Sequence, residues 1–351
     1  MREMKVVDMH CDTISRLWDL KQQGEEKENL FENNGHVDVR RLKKGGYLLQ
    51  NFALFVEKKK CADPWEQVLQ LYELYEQELE KNREYLAPVY CFADIEKNRK
   101  AGNISAMLTV EEGAVCKGDL GKLQTLYEKG MRMLTLTWNY PNELGYPNLD
   151  SDRGREIRSR AQEREQAERD FMVKGFLNTP EKKGLTETGL FFLERMENLG
   201  IIVDVSHLSD GGFYDVLSHT KKPFVASHSN ARALCPCARN LSDDMIRKLA
   251  ERGGVTGLNF CADFLVQKPV GEKNPGTIAD VVRHAAYIVK TGGEDCLGLG
   301  SDFDGIDTHE ELPGADSMEL LWDALKQNGF TERQLDKVFG ENVLRVYREV
   351  L

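Results

Sequence analysis

No uninterrupted apolar run in this chain approaches the roughly 20 residues that cross a bilayer, so no membrane-spanning helix is expected. Positive charge is in deficit: 47 Lys and Arg stand against 58 Asp and Glu, a net charge of −11. Polyanion binding needs a cationic excess, which excludes nucleic acid as a partner. No leader is expected, because Met-Arg-Glu-Met-Lys runs straight into the first apolar stretch. The expected location is therefore cytoplasmic. Eight cysteines, at 11, 61, 91, 116, 235, 237, 261 and 296, form no regular framework. In a reducing compartment most of them should be small buried residues. Cys235-Pro-Cys237 is too tight and too isolated to be half of a structural zinc site.

What is present is a globular composition, 41% hydrophobic and 30% charged over 351 residues. Eight apolar stretches rich in Val, Ile and Leu read as buried parallel strands, at 5–11, 46–56, 105–111, 133–138, 201–207, 223–228, 255–260 and 296–302. Amphipathic helical stretches lie between them at 65–82, 119–130, 186–199, 211–219, 242–252 and 277–291, with helix starts at Thr186 and Ser242. Eight β/α units predict a (β/α)8 TIM-like barrel, one domain over 1–351. A densely charged insertion at about 150–174 breaks the rhythm. Glu156/Arg160 and Glu165/Arg169 have helical i,i+4 spacing there, so a solvated helical excursion is expected, with a lid or subunit contact as the alternative. The last stretch, 316–351, reads as two closing helices.

Such barrels carry their chemistry at the carboxyl ends of the strands. His10 and Asp12 fall at the end of the first predicted strand, Glu111 at the third, His207 at the fifth, His228 at the sixth and Asp302 at the eighth. Residues two apart on a strand face the same way, so His10 and Asp12 aim a nitrogen and an oxygen at one point. The whole set exceeds what one tetrahedral zinc needs and suits two ions sharing a carboxylate. Glu111 lies between the His10/Asp12 and His207/His228 pairs in barrel order, which makes it the best bridge. No Lys occupies a strand end, so a carboxylated lysine is not expected in that role. Asp302 could be a further ligand, but its free role is proton transfer. Glu112 should point away from Glu111, Asp8 and Asp204 lie inside strands where they can orient neighbours, and Asp304 suits a turn. His36, His219, His284 and His309 lack strand-end placement and read as helix or loop residues.

Asp8-Met-His-Cys-Asp12, Val110-Glu-Glu-Gly113, the run from Ile202 to Asp210, Ala226-Ser-His-Ser-Asn-Ala231, Ala238-Arg-Asn-Leu-Ser-Asp243 and Gly298-Leu-Gly-Ser-Asp-Phe-Asp-Gly305 occur in one order. Together they resemble the membrane (renal) dipeptidase family over nearly the whole chain. The resemblance implies a barrel with two Zn2+ per subunit, usually dimeric, that cleaves dipeptides, including those with a D-residue at the C-terminus. It implies that His10 and Asp12 hold one zinc, His207 and His228 the other, and Glu111 both. It further implies that Arg239 receives the substrate's free carboxylate, as a guanidinium fork can, and that Asp302 moves the proton. Apart from the resemblance, Arg239 is unremarkable.

Two positions depart from the family's animal members. Their histidine in a Leu-Thr-Leu-Thr-His context is Trp138 here, and their Glu-Gly-Gly-His is Glu111-Glu-Gly-Ala114. An indole donates one hydrogen bond and carries no proton at neutral pH. Either the metal pair stabilises the developing oxyanion, or Asn139 or another donor does, or the substrate is not a simple dipeptide. Trp138 and Asn139 are thus candidate substrate-binding residues. The leading expectation is a zinc dipeptidase. The alternatives are an amidohydrolase acting on another small amide or lactam, and a metal-binding homologue with impaired catalysis.

Overall fold

The computed structural model describes residues 4–25, 27–269 and 275–351. Its strands are β1 (Val6–Asp8), β2 (Tyr47–Phe55), β3 (Leu86–Pro88), β4 (Ile104–Glu111), β5 (Met133–Thr135), β6 (Ile202–Asp204), β7 (Val225–Ala226), β8 (Val255–Leu258) and β9 (Leu297–Leu299). Every pairing between them is parallel. β2 pairs with both β1 and β4, and β9 returns to β1. Eight strands therefore close in the order β1-β2-β4-β5-β6-β7-β8-β9, surrounded by helices: the expected TIM-like (β/α)8 barrel.

β3 was not foreseen. It covers only the start of one edge of β4, at Ile104 to Ala106, and β5 takes over that edge from Thr109 to Glu111. Three residues ending in Pro88 carry no periodic signal. The other eight strands match the predicted stretches, and all but β4 stop earlier, so most of the polar residues lie just past the last paired position. At β1 the pairing ends at Asp8, with an isolated bridge from Cys11 to Phe303 beyond it.

Side-chain alternation sorts each strand. On β4, Ile104, Ala106, Leu108 and Val110 join the apolar layer between barrel and helices, while Met107 joins the barrel interior. Glu111 shares the parity of Met107, so β4 delivers its carboxylate to the inside. The interior cluster of Val7, Leu49, Met107, Met133, Ile202, Val225 and Val255 is closed by Val343, Val346, Tyr347 and Val350 of the helix Asn342–Val350. Those four repeat at i, i+3, i+4 and i+7, one helix face. Asn51 Nδ2 donates to the Tyr347 hydroxyl at 2.7 Å, fixing this helix as the floor of the barrel. The floor thus leaves the carboxyl end open for chemistry.

Helix starts follow the sequence signals: Thr186 accepts from Gly189 N–H and Ser242 from Met245 N–H. The charged segment forms the helices Ser151–Ala161 and Gln166–Leu177. Glu156 and Arg160 pair at 2.5 Å as spaced. Glu165 precedes the second helix as its cap, and Arg169 instead donates to the Arg164 carbonyl at 3.4 Å. All eight cysteines are free, and five are buried.

Candidate metal centre

The predicted ligands converge at the carboxyl end of the barrel. His10 Nε2 lies 3.2 Å from Asp12 Oδ2 and 3.5 Å from Glu111 Oε2. The other Glu111 oxygen, Oε1, lies 3.0 Å from His207 Nε2 and 3.5 Å from His228 Nε2. Glu111 therefore faces one donor pair with each oxygen. His10, Asp12 and Glu111 form one group able to hold an ion, and Glu111, His207 and His228 another, each with ligand atoms within 4.8 Å of one another. All five are buried.

Of these five, His207 is aimed by backbone that L-residues rarely adopt, and three residues near the site share that conformation. Five non-glycine residues among those described have positive φ, and four stand at this end: Glu112 (98°), His207 (67°), Asp302 (63°) and Asp304 (67°). Leaving the strand in this conformation turns the chain at the point where the side chain must point inward. Gly305 follows the same logic of close approach, since a Cβ there would lie 2.1 Å from Asp12 Oδ2.

The residues fit a cation. Ser227 Oγ donates its one proton to Asp204 Oδ2 at 2.6 Å, so the 2.7 Å contact with His228 Nδ1 has the imidazole as donor. His207 Nδ1 likewise donates to Asn139 Oδ1 at 2.8 Å. Both Nε2 atoms then carry lone pairs, and they face each other at 3.0 Å with Glu111 Oε1 beside them. Burial lowers the pKa of His207 to about 4 and holds that of His228 well below the usual imidazole range, keeping both neutral as ligands must be. Acceptors converging without a proton between them are stabilised by a positive ion. On the other side, Asp12 Oδ1 is buried without a partner.

Asp302 sits beside the centre, its Oδ1 3.9 Å from His10 Nε2 and its Oδ2 held by Asn259 Nδ2 at 2.9 Å. Burial, aided by Asp12 and Glu111 and opposed by His10, pushes its pKa to about 7. A carboxyl poised near neutrality can both take and give a proton. Its oxygen also groups with His10 and His228 within ligand reach, so both predicted roles have geometric support.

Arg239 is buried next to the site. Its guanidinium lies 5.2 Å from the Phe264 ring and donates only long bonds, 3.4 Å each, to Ser229 Oγ and the His228 carbonyl. Its Nε has no partner, and among the described residues it makes no ion pair. A buried charge left so poorly compensated is costly unless an anion joins it.

Above the centre opens a cleft of about 490 Å³, lined by Phe55, Trp138, Phe264, Asp302 and Ile306 among others. Trp138 packs on Phe55, ring centroids 4.9 Å apart. Asn139 lines the same cleft, but its carbonyl oxygen is engaged by His207, which leaves only its amide nitrogen to offer a substrate.

Sequence reasoning anticipated the orienting carboxylates. Asp204 accepts from Ser206 N–H, Ser227 N–H and Thr135 Oγ1, and Asp8 from Ser301 N–H, Ser301 Oγ and His10 N–H. It missed Asn259 and Ser227, both polar residues just past or at the end of a strand, which was the signal available. Glu112 turns from Glu111, through its positive φ and not by continued strand alternation, and reaches Ala114 N–H at 2.9 Å, Asn142 Nδ2 at 2.5 Å and Trp138 N–H at 3.4 Å. Burial raises its pKa to about 7. His284 lies on a helix, His219 at a helix end, and His36 and His309 in loops, all outside the metal-binding groups.

A family model described as membrane dipeptidase (peptidase family M19) matches residues 1–159 and 157–351. An uncharacterized dipeptidase of Schizosaccharomyces pombe is 29% identical over 369 residues, covering 99% of this chain and 81% of the yeast protein. The crystal structure of a family M19 metallopeptidase, dipeptidase AC, superposes with a TM-score of 0.84 at 25% identity, covering 99% of each chain. A Rhodobacter sphaeroides metallopeptidase, crystallised with a phosphinate mimic of L-Ala-D-Ala, has a TM-score of 0.84 at 24% identity and full coverage of both chains, a likeness of fold.

Proposed function

Because the chain belongs to the membrane dipeptidase family, peptidase family M19, we propose that it is a zinc-dependent dipeptidase holding two ions and requiring a free C-terminal carboxylate. The observation that carries this reading is the division of Glu111, with Oε2 toward His10 and Asp12 and Oε1 toward His207 and His228. His10 and Asp12 would hold one ion, His207 and His228 the other, and Glu111 both. When bound, such ions lower the pKa of a water they hold and polarise the carbonyl under attack.

The chain's own residues do the rest. Asp302, held by Asn259 with its pKa near neutrality, accepts the proton of the attacking water and returns it to the leaving amine. Arg239 receives the substrate's α-carboxylate in its guanidinium fork, an ion-pair partner that this buried cation does not have among the described residues. Burial of Asp302 and Arg239 away from bulk water strengthens both interactions. The relative of the same fold that binds an L-Ala-D-Ala mimic makes dipeptides with a C-terminal D-residue sensible substrates. We further propose a cytoplasmic homodimer in which one barrel domain spans 1–351.

The test compares zinc-loaded protein on a panel of L,L and L,D dipeptides with the same dipeptides amidated at the C-terminus. Hydrolysis of the free dipeptides with a large loss on amidation supports the reading. Equal hydrolysis of both forms would instead identify a general small-amide hydrolase, and no hydrolysis of either would leave a metal-binding homologue.

A further inference from the structure

The cleft has two unlike sides, set by barrel order. Cys261 and Phe264 follow β8, and Asp302 and Gly305 follow β9. Arg239, in the segment between β7 and β8, lies against Phe264 on this side. Across the mouth stand Phe55, the last residue of β2, and Trp138, shortly after β5. β2 and β5 flank β4, so the aromatic pair rises beside Glu111, away from Arg239.

We propose that Trp138 and Phe55 form the pocket for the side chain of the substrate's N-terminal residue, making the protein selective for aromatic or large apolar residues there. This inference rests on the dipeptidase reading, which puts the α-carboxylate at Arg239 and the scissile carbonyl at the metal centre. A dipeptide has one residue on each side of that bond. With its C-terminal residue toward β7 and β8, the N-terminal residue extends the opposite way, onto the aromatic wall.

The wall is held firmly. Trp138 packs at 4.9 Å on Phe55 and at 5.7 Å on Tyr140. Its backbone N–H is tied to Glu112, which also holds Asn142 Nδ2. Asn142 Oδ1 in turn accepts Leu144 N–H and Gly145 N–H at 2.8 and 3.1 Å. Behind it, the Tyr140 hydroxyl meets Glu57 at 3.2 Å and Arg155 at 3.3 Å, which braces the loop against the helix Ser151–Ala161. A surface fixed before binding loses little entropy when a side chain packs on it, and a broad indole face favours rings and branched chains over hydrogen.

The rival role for Trp138 is to donate its indole N–H to the developing oxyanion, and substitution separates the two. Trp138→Phe keeps a ring and removes the N–H, while Trp138→Ala removes both. kcat/KM is measured on Phe-Ala, Leu-Ala and Gly-Ala for the zinc-loaded wild type, Trp138→Phe, Trp138→Ala and Phe55→Ala. Binding of non-hydrolysable phosphinate analogues with a benzyl group or hydrogen at the N-terminal position is measured by calorimetry, so a variant that turns over slowly is still read. The wild type should favour Phe-Ala over Gly-Ala by about tenfold or more. Trp138→Phe should keep most of that ratio, and Trp138→Ala and Phe55→Ala should bring it toward one in both measurements. A wild-type ratio near one, a ratio untouched by Trp138→Ala, or a uniform loss of kcat on Trp138→Phe with the ratio intact in Trp138→Ala overturns the proposal. Failure of the dipeptidase reading has its own signature, no turnover of any dipeptide and no binding of either analogue, and takes this proposal with it.

Discussion

Nε2 of His207 and Nε2 of His228 lie 3.0 Å apart, and each ring has its other nitrogen committed as a hydrogen-bond donor. Two lone pairs thus face each other in a buried site, next to a carboxylate oxygen. The second nitrogen's partner fixes the tautomer, and with it the ligand atom. Asn139 serves His207, and Ser227 backed by Asp204 serves His228.

Replacing Asn139 by Ala should therefore weaken zinc binding by about 10–100-fold. Competition against a chromophoric chelator measures this directly, without reference to turnover. Asn139→Asp, which retains the acceptor oxygen, should recover most of the affinity. Unchanged affinity in Asn139→Ala would show that the 2.8 Å contact does not orient the ligand.

Arg239 makes two long hydrogen bonds and no ion pair among the described residues, so its charge is held for something else. Arg239→Met should raise KM for dipeptides by about 100-fold with a smaller change in kcat. Its melting temperature should stay level or rise, because a buried cation without a counter-ion is replaced by an apolar chain. A large drop in stability with KM unchanged would make Arg239 a structural residue.

Asp302→Asn distinguishes a proton carrier from a further ligand. It should lower kcat by about 10²–10⁴-fold while the zinc content stays the same. Metal analysis of the purified variant decides the matter, since loss of an ion would assign Asp302 to coordination.

The positions that converge at the candidate centre were legible because a parallel barrel gathers its strand ends, and polar residues at those ends stand out against apolar strands. His10, Asp12, Glu111, His207 and His228 were found in this way. What supports them was not legible. Asn139 reaches His207 from a loop 68 positions away in sequence, and no periodicity governs such a contact. The positive φ at Glu112 ends β4 and sends its carboxylate to Asn142 and Trp138, at a position where the residue itself is not glycine. β3 was invisible for the opposite reason: three residues are too few to alternate. Arg239 emerged only through the family resemblance, because its burial and its lack of an ion pair among the described residues are tertiary facts.

His284 provides a pH test remote from the centre. It accepts Ala231 N–H on Nδ1 at 3.1 Å and donates Nε2–H to the Leu265 carbonyl at 2.9 Å, which requires the neutral ring. Burial lowers its pKa to about 4. The unfolded chain, with a histidine near ~6.5, binds more protons between those values. The stability His284 contributes is therefore full above about pH 6.5 and is lost as pH falls toward 4. Melting temperature against pH should decline over this window in the wild type and decline less steeply in His284→Gln. Parallel curves for the two proteins would remove His284 from the account.

The division of Glu111 between two donor pairs is the central structural claim, and zinc titration of chelator-stripped protein tests it most directly. Dipeptide hydrolysis should return and the melting temperature should rise together, both levelling at two equivalents of zinc per chain, and Glu111→Ala should not reach that stoichiometry. Full activity at a single equivalent, or two equivalents still held tightly by Glu111→Ala, would contradict it.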